Sequence, residues 1–327
     1  MTGLSDSFHR PINYLRISVT DRCNLRCIYC MPPSGVRLIP RDSILTYEEI
    51  YTIAKAAAEL GISKVRLTGG EPLVRLGLAG LVRMLANIDG IDDISLTTNG
   101  ILLSQYAAEL KSAGLRRVNV SLDTLKPSKF KQITRGKYSL KTVLEGIETA
   151  KSVGLNPVKL NMVVMAGIND NEIVDFAHKT IEDGWHVRFI EFMPLVGDRA
   201  NASQFFPVSE MRKRLASLGI LEPCTNSGNG PAKYFRLPQA KGTIGFITPV
   251  SEHFCFKCNR LRLTSDGKLR PCLLSESEID LRQPLRNGIS TDGLKELIRE
   301  AVANKPLQHH LADGFVPKGR PFSQVGG

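Results

Sequence analysis

Three cysteines, Cys23, Cys27 and Cys30, fall within eight residues of chain. Thiolates at this spacing can each take one corner of an iron–sulfur cube. A cube has four irons, so one iron is left without a protein ligand. That iron can chelate a small molecule through an amine and a carboxylate. A Cys27/Cys30 pair alone would read as a thioredoxin-like redox couple, and a zinc knuckle is the other simple alternative. The third cysteine argues against both.

A second triad, Cys255, Cys258 and Cys272, repeats the pattern near the other end. Its simplest alternative is a structural zinc with His253 as fourth ligand. Cys224 stands apart and reads as a free thiol. The seven cysteines are an odd number, in a chain too long to need disulfide staples. In a reducing compartment such cysteines read first as metal ligands or catalytic groups.

Other residues near the triads suit ligand binding. Gly69 and Gly70, in the run Thr68-Gly-Gly-Glu-Pro72, would let a ligand approach the backbone and leave peptide groups free to bond it. Arg260 and Arg262 point to one face if their segment is a strand. Two guanidiniums on one cavity suit a triphosphate or a purine edge; a solvated strand face is the ordinary alternative. Arg16, Arg66 and Lys159 lie on or beside three further strand candidates. Charges inside a parallel barrel are costly unless they meet a ligand or partner, so their recurrence favours an anion site.

The elements that must hold these residues alternate regularly. Strand patterns run over 15–20, 64–68, 93–98, 118–122, 158–164 and 187–191. Helical patterns run over 47–60, 78–87, 104–113, 140–153 and 172–182. Thr46 and Glu49 form a capping box before the first helix, and Ser104 is the expected cap of the third. This alternation predicts an α/β chain with parallel strands and crossover helices. Six units suit a partial barrel or an open sheet. The first triad follows the first strand, on the end where barrel loops build active sites. Beyond about 220 the rhythm changes to short strand candidates over 233–237, 243–247 and 261–264, a turn at Asp266-Gly267 and a helix over 294–303. The segments 226–231 and 314–327 read as irregular. We expect a barrel over 1–220 and a capping region over 221–327.

The charge balance is basic, 43 Lys and Arg against 32 Asp and Glu. The cations are spread along the chain, which favours a site for several phosphates over a nucleic-acid arm. Residues 1–21 lack a signal-like apolar stretch, and no segment approaches the roughly 20 apolar residues that span a bilayer. The expected location is cytoplasmic, with no membrane and no nucleic acid as partner.

The runs 16–32, 66–72 and 255–262, together with Cys272, resemble the GTP 3′,8-cyclase family of the radical S-adenosylmethionine superfamily. The resemblance covers the chain from about residue 10 to its end, including the terminal Gly326-Gly327, a family tail thought to enter the active site. It implies a partial (βα)6 TIM-type barrel and a C-terminal α+β extension with a second cluster. By resemblance, Cys23, Cys27 and Cys30 hold one [4Fe–4S] cluster, and Cys255, Cys258 and Cys272 hold another with an open iron that meets GTP. Tyr29, Gly70, Ser121 and Met193 would contact S-adenosylmethionine. Arg16, Arg66, Thr97, Lys159, Arg260, Leu261 and Arg262 would contact GTP, with Arg16, Arg260 and Arg262 also catalytic. The implied activity is a lyase-type radical cyclisation of GTP that opens molybdenum cofactor biosynthesis. It would require an external electron donor and pass its product to cyclic pyranopterin monophosphate synthase, as a monomer or a homodimer.

Two rivals remain from sequence. One is a radical enzyme with an auxiliary cluster that modifies a peptide or RNA, which would not need the Arg260/Arg262 pair or the Gly-Gly end. The other is an iron–sulfur regulator that binds nucleic acid, which would lack the long strand–helix array.

Overall fold

The computed structural model describes residues 3–194, 203–226, 230–311 and 320–326. Six strand–helix units come first. Strands β1 (Tyr14–Ser18), β2 (Lys64–Thr68), β3 (Asp93–Thr98), β4 (Arg117–Ser121), β5 (Lys159–Val164) and β6 (His186–Glu191) lie side by side and parallel. Between them run α1 (Tyr47–Glu59), α2 (Leu78–Ala86), α3 (Leu103–Ser112), α4 (Pro127–Thr134), α5 (Leu140–Ser152) and α6 (Ile173–Glu182). Then follow α7 (Val208–Leu215), β7 (Glu222–Cys224), β8 (Lys233–Arg236), β9 (Thr243–Ile247), β10 (Arg260–Leu263), β11 (Lys268–Arg270), β12 (Ile279–Asp280), α8 (Arg282–Arg286) and α9 (Thr291–Ala303).

The later strands do not form a separate covering layer. β9 pairs parallel with β6, and β10 pairs parallel with β1. The parallel array therefore has eight strands, from β10 through β1–β6 to β9, and its two ends do not pair with each other. Antiparallel β11 and β12 continue one edge, and β8 and β7 the other. The result is the partial barrel that the six units imply, widened by one strand on each side from the second half of the chain.

Alternation along the strands explains where the core sits. In β2, Val65 and Leu67 are fully buried against the helices, while Arg66 faces inward. In β4, Val118 and Val120 do the same opposite Asn119 and Ser121. A parallel sheet covered on both faces normally reads as a continuous apolar run. Here the inner face is polar on most strands, so the apolar core lies between sheet and helices and the inside is kept for something else.

Local signals account for most boundaries. Thr46 accepts from the Glu49 N–H and the Glu49 carboxylate accepts from the Thr46 N–H, a complete capping box on α1. Ser104 is not a cap: α3 begins at Leu103, after Leu102, with no side-chain cap. Helix α4 escaped the pattern because its eight residues bury only Phe130, Ile133 and Thr134. The segments 226–231 and 314–327 lie partly outside the described residues, as does Gly327. Among the described residues no helix is long and apolar enough to cross a membrane.

The β6–β9 junction is the tightest point in this arrangement. A Cβ on Gly242 would overlap the Trp185 carbonyl, and the Gly242 N–H donates to Thr180 O at 2.9 Å. Gly242→Ala should therefore force β9 away from β6 and cost on the order of 3 kcal/mol. A urea titration of the metal-free chain, compared with an exposed control such as Lys141→Ala, should show the lower midpoint.

Candidate active site

The loop after β1 carries the first triad at the C-terminal end of the parallel strands, where barrel sites form. The Cys30 N–H donates to Cys27 O at 2.9 Å, which turns the chain between the two thiols. The loop is tied to its neighbours by backbone. The Arg26 N–H donates to Thr134 O and the Ile28 N–H to Ile133 O, each at 2.9 Å, which joins it to the end of α4. Asn99, after β3, donates to Asn24 Oδ1 at 2.7 Å.

The double glycine acts differently from the sequence expectation. The Gly70 N–H is already committed to Thr20 O at 2.7 Å, and the Glu71 N–H to Arg22 O at 2.7 Å. A Cβ on Gly69 would lie 2.6 Å from Thr20 O, and one on Gly70 would overlap the Arg22 carbonyl. The glycines thus let the β2 loop press against the triad loop, and Gly70 does not line the central cavity. Buried Glu71 accepts from the Leu73 N–H, the Asn99 N–H and the Thr98 hydroxyl at 2.7–3.0 Å. Burial pushes its carboxyl up to about 7 against the pull of those donors. One carboxylate therefore ties the ends of β2 and β3 beside the first triad.

Burial also governs these thiols. It pushes Cys23 up to about 11 and Cys30 up to about 12, and Cys27 rises well above the usual range, with Asp123 adding to the effect. Buried thiols of this kind become thiolates on binding a positive metal centre.

The second triad has a different setting. Cys255 opens a short turn, and the Cys258 N–H donates to Cys255 O at 3.0 Å just before β10. Cys272 follows β11. The buried Arg10 guanidinium donates to Cys255 O at 2.7 Å, and the buried Lys305 ammonium donates to Arg260 O and Pro271 O. Arg260 Nη2 lies 3.3 Å from Cys258 Sγ. Burial works upward on Cys258, but Arg260 and Lys305 outweigh it and bring the thiol down to about 6. His253, the candidate zinc ligand, is exposed and turns its ring toward that of His309, 6.1 Å away. Among the described residues no three His, Cys, Asp or Glu side chains gather around a point for one metal ion. A cube spreads its ligands over separate irons, so this does not conflict with two cube sites.

A cavity of about 1360 Å³, mouth included, runs from Tyr29 in the first triad loop to all three cysteines of the second. Of the residues expected to contact a ligand, Arg16, Tyr29, Arg66, Thr97, Ser121, Met193, Arg260 and Arg262 line it. Thr97 faces the cavity, while neighbouring Thr98 is spent on Glu71. Leu261 does not line it: it is buried in the core on the opposite strand face, so any ligand contact there falls to its backbone. Lys159 also stops short of the wall. It lies buried one layer deeper than Asn161, with the Tyr234 ring 5.1 Å away.

The wall carries five arginines against one carboxylate, Asp123. Arg66, Arg16 and Arg262 are direct partners across β2, β1 and β10. Burial, then Arg262, holds the Arg16 guanidinium well below its usual range; burial and Arg260 bring Arg262 to about 10. Burial likewise pulls Lys159 to about 6, with Arg188 next. Positive groups that depress one another in this way are set up to receive an anion. The Tyr14 hydroxyl, Asn161 Oδ1 and Arg188 Nε are buried on this wall without a hydrogen-bond partner among the described residues. Such atoms are costly unless a ligand completes them.

The chain's end closes the deep side. Gly326 O accepts from Arg262 Nη1 at 2.9 Å and from Arg16 Nη2 at 3.2 Å. Arg320 anchors the tail through Asp266 and Glu278.

The sequence pattern of the Radical SAM superfamily matches residues 17–180, and that of Molybdenum Cofactor Synthesis C matches 185–311. GTP 3′,8-cyclase of Pelotomaculum thermopropionicum is 54% identical over 99% of this chain and 100% of its own. That of Moorella thermoacetica is 51% identical over 99% and 100%. This chain belongs to the GTP 3′,8-cyclase family. The fold is shared more widely. Streptococcus suis SuiB bound to S-adenosylmethionine superposes with a TM-score of 0.62 at 13% identity, over 90% of this chain and 64% of that one. Native anSMEcpe with bound AdoMet gives 0.54 at 17%, over 93% and 83%.

Sequence reasoning passed over Tyr14, Asp123, Asn161, Arg188 and His309, all on the cavity wall of this family member. Asp123 accepts from the Tyr29 hydroxyl at 2.9 Å and from the Val163 N–H at 2.8 Å, and burial pushes it up to about 6. The signal for Arg188 and Asn161 was there: each is a polar residue at an inward position between apolar neighbours, Val187 and Phe189 on β6 and Leu160 and Met162 on β5.

Gly326 has φ near +68°, and a Cβ there would lie 2.5 Å from Thr68 Oγ1. Gly326→Ala should dislodge the tail from Arg16 and Arg262 while leaving the core intact. The expected outcome is a fall in turnover of about tenfold or more, equivalent to about 1.4 kcal/mol, with an unchanged unfolding midpoint. Glu71→Gln would set an amide N–H₂ against a backbone N–H. Anaerobic preparations should then hold about four irons per chain rather than about eight, the loss falling on the first triad.

Proposed function

We propose that this chain cyclises GTP to (8S)-3′,8-cyclo-7,8-dihydroguanosine 5′-triphosphate, the first step of molybdenum cofactor biosynthesis. The observation that carries the reading is the cavity itself: an arginine-rich, orphan-lined wall set between two cysteine triads. The full-length relatives named GTP 3′,8-cyclase support the same assignment.

The residues fit the cofactors that the family implies. Three thiols at Cys23, Cys27 and Cys30 suit one [4Fe–4S] cluster, and Cys255, Cys258 and Cys272 suit a second. When bound, the first cluster and S-adenosylmethionine supply a 5′-deoxyadenosyl radical, which takes hydrogen from C3′ of the ribose so that C3′ can close on guanine C8. The protein's task is placement. Tyr29, Ser121 and Met193 would hold S-adenosylmethionine at one end of the cavity, with Gly70 shaping the loop beneath. Arg16, Arg66 and Arg262 form a row for the triphosphate, and Arg260, between that row and Cys258, reaches the base end near the second cluster. Thr97 completes the wall. Arg188 supplies positive charge from the wall beside Asn161, and Lys159, one layer deeper and held near 6 by burial, would gain its proton as an anion binds. Arg16, Arg260 and Arg262 would also stabilise charge as the cyclised radical is reduced. Enclosing the reacting atoms fixes their geometry and excludes water and oxygen.

We place the reaction in the cytoplasm, where thiols stay reduced. An external donor would supply electrons, and the product would pass to cyclic pyranopterin monophosphate synthase. The peptide-or-RNA reading gains no support from the enclosed, arginine-lined wall.

Anaerobic incubation with reductant, S-adenosylmethionine and GTP should yield 5′-deoxyadenosine and the cyclised nucleotide together. No 5′-deoxyadenosine would reject the reaction class; its formation only with a peptide or RNA would reject GTP. Arg260→Ala and Arg262→Ala should each weaken GTP binding by about ten- to a hundredfold, the worth of one charged hydrogen bond. Unchanged affinity and yield in both would remove the arginines from the site.

A further inference from the structure

Two stretches of the chain, 22–41 and 126–137, carry nine Lys and Arg and no Asp or Glu. They account for +9 of the formal net +11 of the whole protein. They are far apart in sequence and joined in space. The first is the triad loop and its continuation; the second is α4 with its flanks. The two backbone bonds from Arg26 and Ile28 to the end of α4 join them, and Arg135 Nη1 adds a third contact to Met31 O at 3.3 Å. Lys126, Lys131, Arg135 and Lys137 are all exposed on the α4 side, and Arg37 and Arg41 on the loop side.

None of these cations lines the cavity, so the GTP site does not explain them. Helix stability accounts for Lys131 and Arg135, in the last turn and at the C-cap of α4, and ion pairs account for Arg22 with Asp21 and Lys129 with Glu172, which leaves, among the exposed cations, Lys126, Lys137, Arg37 and Arg41. Lys126 occupies the N-cap of α4, where the helix dipole disfavours a cation. Arg135 holds φ near +49°, a conformation that a non-glycine residue adopts only when its surroundings impose it. Two of the chain's few exposed large apolar side chains, Leu38 and Tyr138, sit within or beside the same stretches.

We infer that this face is the docking site for an acidic one-electron carrier protein, which delivers its electron to the first cluster through the Cys23–Cys30 loop. The inference rests on the function proposed above. The step moves one electron only: the carrier is oxidised by one, the cluster is reduced by one, and no bond or proton changes hands at the surface. Opposite charge steers such an encounter and raises its rate, with a strong dependence on salt.

The test uses the two-cluster enzyme and two electron sources, a flavodoxin hydroquinone with an acidic surface and reduced methyl viologen. Docking is read in two ways, as the Kd of oxidised flavodoxin for the enzyme by calorimetry, which should rise with KM in the variant, and as 5′-deoxyadenosine formed with reduced flavodoxin; the proposed function is read as cyclised nucleotide. With flavodoxin the wild-type rate should fall steeply between low and high salt, while with viologen it stays flat. The variant Lys126→Glu/Lys131→Glu/Lys137→Glu leaves Arg135 and the backbone bonds in place. Its KM for flavodoxin should rise at least about tenfold, with viologen-driven turnover within about twofold of wild type. An unchanged KM for flavodoxin would overturn the inference. So would a parallel loss with viologen, or a raised KM for GTP, which would assign the charge to substrate steering. Carrier-dependent 5′-deoxyadenosine without cyclised GTP would keep the docking surface and sink the proposed substrate.

Discussion

Arg66, Arg16 and Arg262 stand on three adjacent strands in direct register, at a separation set by backbone hydrogen bonds rather than by their charges. Neighbouring strands lie about 4.8 Å apart, so the guanidiniums repel at close range with little water between them. No carboxylate on the cavity wall except Asp123 offsets this. A folded chain keeps such a row only if the rest of the structure forces it, or if an anion relieves it. Much of the architecture follows from that need. The inner face is polar and the apolar core is displaced outward to the helices, which leaves room inside for a counter-charge.

The same constraint explains the placement of the second half. β10 adds Arg260 and Arg262 to the row by pairing with β1, and β9 extends the opposite edge through β6. A separate covering domain would have needed its own core. Two parallel strands added to an existing sheet reuse the first one, and they carry the second triad to the far side of the cavity. The tail uses the same cations from below. The Gly326 carbonyl, a neutral acceptor, bridges Arg16 and Arg262 without neutralising them, so their charge remains available to a ligand.

Much of this was legible in the sequence. The strand–helix order of the first 191 residues, α4 excepted, and both triads could be read from period and spacing, because each is a local pattern. Arg16, Arg66, Arg260 and Arg262 were readable as charges at strand positions. What escaped was non-local. That β9 and β10 flank one sheet depends on pairing between residues more than 50 and 240 apart, which no local period records. Arg188 and Asn161 belong to the site because their strands bend around the same space. Leu261, named through the family resemblance, differs: strand alternation sends its side chain to the core, which leaves only its backbone for a ligand. The glycine pair was read as leaving its peptide groups free for a ligand; that the triad loop takes the Gly70 and Glu71 N–H groups is a contact no local pattern records.

The two triads also differ in a way that spacing alone does not reveal. Burial dominates at the first, where Asp123 adds to its effect on Cys27 and Cys23 to its effect on Cys30, so their charged forms are disfavoured. At the second, Arg260 and Lys305 stand over Cys258 and favour its charged form. Where Arg260 and Lys305 favour a thiolate before any metal arrives, the thiols of the first triad are held back until a positive centre draws off their protons. One sheet thus carries two triads of similar spacing and treats their thiols in opposite ways.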